Sequence, residues 1–209
     1  MSMHQFCRSM VVLLAVSAIP GLSGHAASAA ENNSKAVVEG FHDMLISVMT
    51  EAKSLKVAGR YKKIEPVMAK SFDLAFMIRV ASGTSWRKIS DAEKKKLAAA
   101  FRHLSIATYA YRFDGFSGQS FKTVAVEPGP RKTTLVKTQL LRPNENPVKL
   151  TYVMKKSKGA CRIVDILLGG GISELAVRHS EYRTILKKQG PNSLAKILNR
   201  KADQYLNEE

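Results

Sequence analysis

The chain has 209 residues, 45% of them hydrophobic, with 33 lysines and arginines against 17 acidic residues and a formal charge of +16; its mean hydropathy is -0.13. These values exclude a disordered chain, a collagen-like fibre and a polytopic membrane protein. One domain is expected at this length, large enough to bury a core and to line a cavity besides.

The first thirty residues read as a secretory signal peptide. Arg8 and the N-terminal amine form a short positive region, Met10 to Ile19 an apolar one, and Pro20-Gly21 break it. Ala27-Ser28-Ala29 then supplies the A-x-A pattern, placing cleavage after Ala29 or Ala30 and leaving residues 30–209 as a single domain. The apolar run is about half the roughly 20 residues that a membrane span requires. Cys7 precedes it, where a lipobox cysteine would follow. Cleavage removes Arg8 and no acid, so 33 basic residues fall to 32 against 17 acidic ones. Cys161 becomes the only mature cysteine, which excludes an internal disulfide even in an oxidising compartment. It reads as a small buried hydrophobe on a strand.

From Asn32 to about Ala58, Val37, Val38, Phe41, Leu45, Val48, Met49, Ala52 and Leu55 keep one helical stripe. Gly59 is expected to end this helix, and Pro66 to open a short second one. Asp73 caps a third, with Leu74, Met77, Ile78 and Ala81 inward and Gly83 at its end. Ser90-Asp91-Ala92-Glu93 is a capping box, and the long helix after it carries Leu97, Phe101, Leu104, Thr108 and Tyr111 at steps of four and three. Lys94, Lys95 and Lys96 crowd its first turn, where the helix dipole disfavours cations, so they face water or a partner.

Past Gly115 and Gly118 the period turns to alternation, over Phe121 to Glu127, Thr133 to Arg142, Val148 to Lys155 and Cys161 to Leu168. Turn-rich links join these runs as successive hairpins, a four-stranded antiparallel sheet. In the third strand Val148, Leu150, Tyr152 and Met154 share an apolar face. Two helices follow, Ser173 to about Lys188 and Ser193 to about Leu206, separated by Gly190-Pro191. Helices, then a strand meander, then helices make an α+β fold.

The chemistry-bearing motifs are sparse. There is no H-E-x-x-H, G-x-S-x-G, phosphate loop or cysteine pair with metal spacing. Gly169-Gly170-Gly171 lacks the downstream Gly-Lys-Ser/Thr of a phosphate loop and reads as a strand-to-helix turn. Asp165, alternating with apolar neighbours, is either a catalytic carboxylate or, more simply, a hydrogen-bonded or arginine-paired strand aspartate. His42, His103 and His179 each fall on an expected helix, with ordinary surface or core-edge roles favoured over metal binding. The basic excess admits nucleic acid, anionic lipid or an acidic protein as partner. Export argues against nucleic acid, and negative membrane headgroups favour a lipid surface.

An ordered set of residues carries a family resemblance: Phe72-Asp73, then Ala81-Ser82-Gly83 and Trp86; Phe101 with Tyr109-Ala110; Val148 to Tyr152; and Ile163-Val164-Asp165-Ile166 through Gly171-Ile172-Ser173 to Tyr182-Arg183. In this order, behind a signal peptide, it resembles the MlaC-like, or toluene-tolerance auxiliary, periplasmic lipid-shuttle family. The run Ile163 to Arg183 is most similar to the hopanoid-associated HpnM branch. Cys161 stands where the family commonly has tryptophan. The resemblance implies a curved sheet wrapped by about five to six helices around an apolar cavity for lipid tails. It implies a non-enzymatic auxiliary component of an ABC transporter, serving outer-membrane lipid asymmetry without a cofactor. Such a carrier takes phospholipid or hopanoid between an inner-membrane transporter complex and an outer-membrane acceptor. The residues expected to touch the lipid are Phe72, Phe76, Met77, Leu104, Tyr109, Val148, Leu150, Tyr152, Met154 and Ile163. Two rival readings are a lipid-modifying enzyme on a similar helix-wrapped sheet, with Asp165 or His103 as base, and an adaptor that binds no lipid.

Overall fold

A computed structural model describes residues 23–157, 159–169 and 171–208. The charged and apolar regions of the expected signal peptide, Arg8 and Met10 to Ile19, lie outside the described residues. Helix α1 (Ser23–Thr50) begins ahead of the expected Asn32, so its backbone includes the expected cleavage motif.

The first helix ends earlier than its stripe suggested. Helix α2 (Ala52–Ser71) follows almost at once, and the break lies at Lys56 (φ 51°, ψ 172°), not at Gly59. Gly59 and Pro66 both sit inside α2. The Gly59 position packs closely on its own preceding turn, where an added Cβ would meet the Leu55 side chain at 3.2 Å. Arg60 ties the break to the rest of the bundle. Buried, its guanidinium donates to Ala52 O at 3.1 Å and to Ala110 O at 2.7 Å, which supplies donors to carbonyls that a helix end leaves unmet.

Helix α3 (Leu74–Ala81) is capped by Asp73, whose carboxylate accepts from Phe76 N at 3.0 Å. Gly83 takes φ 57° as the chain leaves α3 for a short 3-10 segment, Gly83–Arg87. Helix α4 (Asp91–Arg112) opens on the expected capping box, Ser90 N donating to Glu93 Oε2 at 2.9 Å and Glu93 N to Ser90 Oγ at 3.3 Å.

The sheet runs β1 (Ser120–Gly129), β2 (Thr133–Leu141), β3 (Val148–Ser157), β4 (Ala160–Leu168) and β5 (Ile172–Ser173), each antiparallel to the next. It therefore has five strands where alternation indicated four. The fifth, two residues long, is too short to show a period. A bulge interrupts the β1–β2 ladder between Thr123 and Ala125. Helix α5 (Glu174–Asn207) starts at Ser173, whose hydroxyl accepts from Ala176 N, and breaks at Gly190 (φ 79°, ψ 175°) ahead of Pro191. This is the separation expected there.

Helix α1 packs across β1, β2 and β4, while α4 lies against α2, α3 and α5. The core between them holds Val38, Phe41 and Leu45 of α1, Ile64 and Met68 of α2, Leu97 and Phe101 of α4, and Met154 and Ile163 of the sheet. Cys161 is buried on β4, as its sequence position suggested. No helix among the described residues is long and apolar enough to cross a membrane.

Candidate functional site

The packing between sheet and helices leaves a cavity of about 370 Å³. Leu45 and Met49 of α1, Met68 of α2, and Phe72, Leu74 and Met77 around the start of α3 form one wall. The sheet supplies Phe121, Leu140, Leu150, Tyr152, Ile166 and Leu168. These follow from register: Phe121 pairs with Leu140, Leu150 with Leu168, and Tyr152 with Ile166, so one alternating face delivers each pair. Phe101, Ser105, Thr108 and Tyr109 of α4 close the remaining side.

Phe72 is fixed twice over. It makes a parallel bridge to Ile163, and the next residue's Asp73 N donates to Ile163 O at 2.9 Å. The Asp73 carboxylate also accepts from Ser157 Oγ at 2.7 Å. The turn before α3 is thus bound to β4, and Phe72 stands edge-on to Phe41, their centroids 5.0 Å apart. Tyr109 meets Phe41 edge-on at 5.3 Å and stacks on Phe113 at 5.5 Å. Edge and offset contacts of this kind hold rings without filling all the space between them.

The wall residue Tyr152 has a neutral partner. His42 Nε2 and the Tyr152 hydroxyl share a hydrogen bond at 2.9 Å, with the Phe121 ring stacked 4.0 Å from the imidazole. Burial pushes the His42 pKa down to about 4, and it raises the Tyr152 and Tyr109 hydroxyls well above the usual phenol range. Burial disfavours the charged form in all three. The charged residues of the lining are Arg112, Asp114, Arg142, Glu174 and Arg178. The exposure of Arg112, Asp114 and Gly115 marks their side of the cavity as the mouth.

Of the residues expected to touch a ligand, Phe72, Met77, Tyr109, Leu150 and Tyr152 are brought together here. Leu104, Met154 and Ile163 are buried in the packed core instead. Phe76 lies half-buried outside, with Arg79 and Lys155 over its ring at 5.2 and 5.1 Å. Val148, half-buried opposite Leu140, is not among the lining residues. Sequence reasoning passed over Phe121, Leu140, Ile166 and Leu168. The alternation was visible, but the register that pairs them with the third strand was not.

The other candidates for chemistry are engaged elsewhere. Asp165 accepts from Ile166 N at 2.8 Å, from Leu175 N at 3.0 Å and from Ser173 Oγ, so it is the hydrogen-bonded strand aspartate that fastens the start of α5. His103 lies between the Tyr61 hydroxyl at 2.9 Å and Asp203 at 3.2 Å, beside a surface groove of about 690 Å³ that Lys96 and Lys196 also line. His179 Nδ1 meets Ala81 O at 3.0 Å. No group of His, Cys, Asp and Glu among the described residues is placed to hold a metal ion.

No curated protein sequence matches the chain. A solved structure of the phospholipid-binding protein from Ralstonia solanacearum, in complex with a phospholipid, is similar at a TM-score of 0.72 and 17% identity, over 83% of this chain and 98% of that one. The likeness establishes a shared fold. The family model described as MlaC protein matches residues 39–200, and the chain belongs to that family.

Proposed function

We propose that this protein is a periplasmic lipid carrier, taking phospholipid or hopanoid between inner-membrane and outer-membrane transport components and performing no reaction of its own. The observation that carries the reading is the cavity: apolar side chains, neutral polar atoms and a charged mouth, in a chain of the MlaC family. The phospholipid bound in the Ralstonia relative supports it. Each methylene removed from water is worth about 0.8 kcal/mol, so two acyl chains carry roughly 20 kcal/mol or more and cannot cross the aqueous gap unescorted. A wall of Leu, Met, Ile and Phe meets that demand, since it leaves no polar group unsatisfied beside the tails, and Met and Phe adapt to differing tail shapes.

On this reading the lipid-touching residues are Phe72, Met77, Tyr109, Leu150 and Tyr152, joined by the sheet residues paired with them. The working protein is the single domain left after cleavage near Ala29. The test is mass spectrometry of lipid extracted from protein purified out of its native periplasm. Intact phospholipid or hopanoid at about one molecule per chain is expected. Protein that arrives empty, and after delipidation takes up no lipid from vesicles, would refute the carrier reading in favour of an adaptor.

A further inference from the structure

Among the described residues, four hydroxyl side chains line the cavity: Ser105, Thr108 and Tyr109 of α4 and Tyr152 of β3. Three are engaged. Ser105 Oγ donates to Phe101 O and Thr108 Oγ1 to Leu104 O, each at 2.7 Å, and the Tyr152 hydroxyl is bonded to His42 Nε2. The Tyr109 hydroxyl has no hydrogen bond with any described residue. Unlike Arg142 Nε, which is closed off, it keeps accessible surface.

The Tyr109 ring is held from three elements. Phe41 of α1 and Phe72 of the turn before α3 stand edge-on to it, with centroids at 5.3 and 6.2 Å, and Phe113 stacks on it from the end of α4. A ring packed in this way has little freedom to turn its hydroxyl towards another partner. Burial keeps the group a phenol, with its pKa raised well above the ordinary value, so it has a proton to donate. Set against acyl methylenes, that donor stays unmet at a cost to binding, and a lipid that brings an acceptor to this point avoids the cost.

Depth selects the acceptor. Tyr109 precedes the exposed Arg112 of the mouth by three residues, about 5 Å along the helix axis. In a glycerolipid whose head group stays at the water, the ester carbonyls are the first acceptors below it, at the top of the tails. The saturated rings of a polycyclic lipid carry none. An ester carbonyl also brings no proton of its own to place, so one donor is enough to satisfy it. Resting on the carrier reading, we infer that Tyr109 is a specificity-determining residue whose hydroxyl donates to an acyl ester carbonyl of the bound lipid, selecting ester-linked glycerolipids from inside the cavity.

The test uses the delipidated mature protein and vesicles holding equal amounts of a diacyl phosphatidylcholine and its dialkyl ether analogue of the same chain length. The two share a head group, so the mouth contributes equally to both. Protein re-isolated for mass spectrometry is expected to hold about tenfold more diester than diether, the discrimination that one buried donor left unmet gives. Tyr109→Phe keeps the ring and its packing and should bring the ratio to the vesicle's own while total uptake persists, with circular dichroism checking the fold. Tyr152→Phe removes the phenol that serves His42 and should leave the ratio at its wild-type value. Equal uptake of the two lipids by the wild type, or a ratio that survives Tyr109→Phe or falls as far in Tyr152→Phe, would overturn the role of Tyr109 while leaving the carrier. Uptake of neither lipid would remove the carrier reading, and this role with it.

Discussion

Leu150 and Ile163 lie on adjacent strands and differ in what surrounds them. Ile163 has no exposed surface and packs in the closed core, whereas half-buried Leu150 borders the cavity. Ile163→Ala should therefore cost about 2–5 kcal/mol, as filled-core truncations do, and leave the kind of lipid unchanged. Leu150→Ala should cost less than that range and alter which lipid is held. Leu150→Asp should abolish retention, because an unpaired carboxylate among tails costs several kcal/mol. Urea unfolding and extracted lipid, measured on the same samples, check all three. His42 gives a second residue-scale expectation. Its folded pKa of about 4 lies below the ordinary 6.5, so between these values the unfolded chain binds the extra proton. Stability must then fall as pH drops through this window, by about 2 kcal/mol from pH 7 to pH 5, and the loss levels off below pH 4. Urea titrations at both pH values should show this decline, and His42→Gln should remove that part of it. An equal decline in the variant would assign it to other groups.

At the scale of elements, the two helix breaks use the same backbone region by different means. Gly190 sits at φ 79°, ψ 175°, and a Cβ there would meet nothing within 4 Å. Gly190→Ala should still destabilise the protein by about 1–3 kcal/mol, since the cost is conformational and not steric crowding by neighbours. Thermal unfolding of the variant measures it. Lys56 occupies a comparable conformation without being glycine, which explains why the sequence misled there. Gly59 carries the sequence signal of a helix terminator and Lys56 carries none, yet the break that Arg60 secures depends on carbonyls from α2 and α4. Local signals that carry their own hydrogen bonds were legible: the Ser90–Glu93 box, the Asp73 cap, the Gly83 exit and the Gly190-Pro191 division. The placement of Pro66 inside α2 and the short β5 depend on tertiary partners, and no local pattern announces them.

For the molecule as a whole, the basic excess and the cavity bear on the same task. Lys95 and Lys96 are exposed on α4, and Lys94 pairs with Asp91 at 3.0 Å. If these lysines help to meet anionic membranes or acidic partners, replacing Lys94, Lys95 and Lys96 with Gln should weaken docking at low salt without unfolding the protein. The wild-type interaction should itself weaken steeply towards physiological salt, where screening acts within about 8 to 10 Å. Binding to anionic vesicles across a salt series reads both effects, and a salt-independent result would return these lysines to mere solvation. The cavity was less legible than the charge. Leu150 and Met154 lie on one face of one strand, but the first borders open space and the second is enclosed, and the same residue types serve both settings. Only the meeting of α4, the turn before α3 and the sheet separates them. The β1 bulge has a further consequence for life in a crowded compartment. β1 is an outer strand of an open sheet, and a long straight edge would invite another chain to add itself. The bulge beside Val124 puts the ladder out of step, and Pro128 removes a donor, so the sheet can remain open without seeding aggregates.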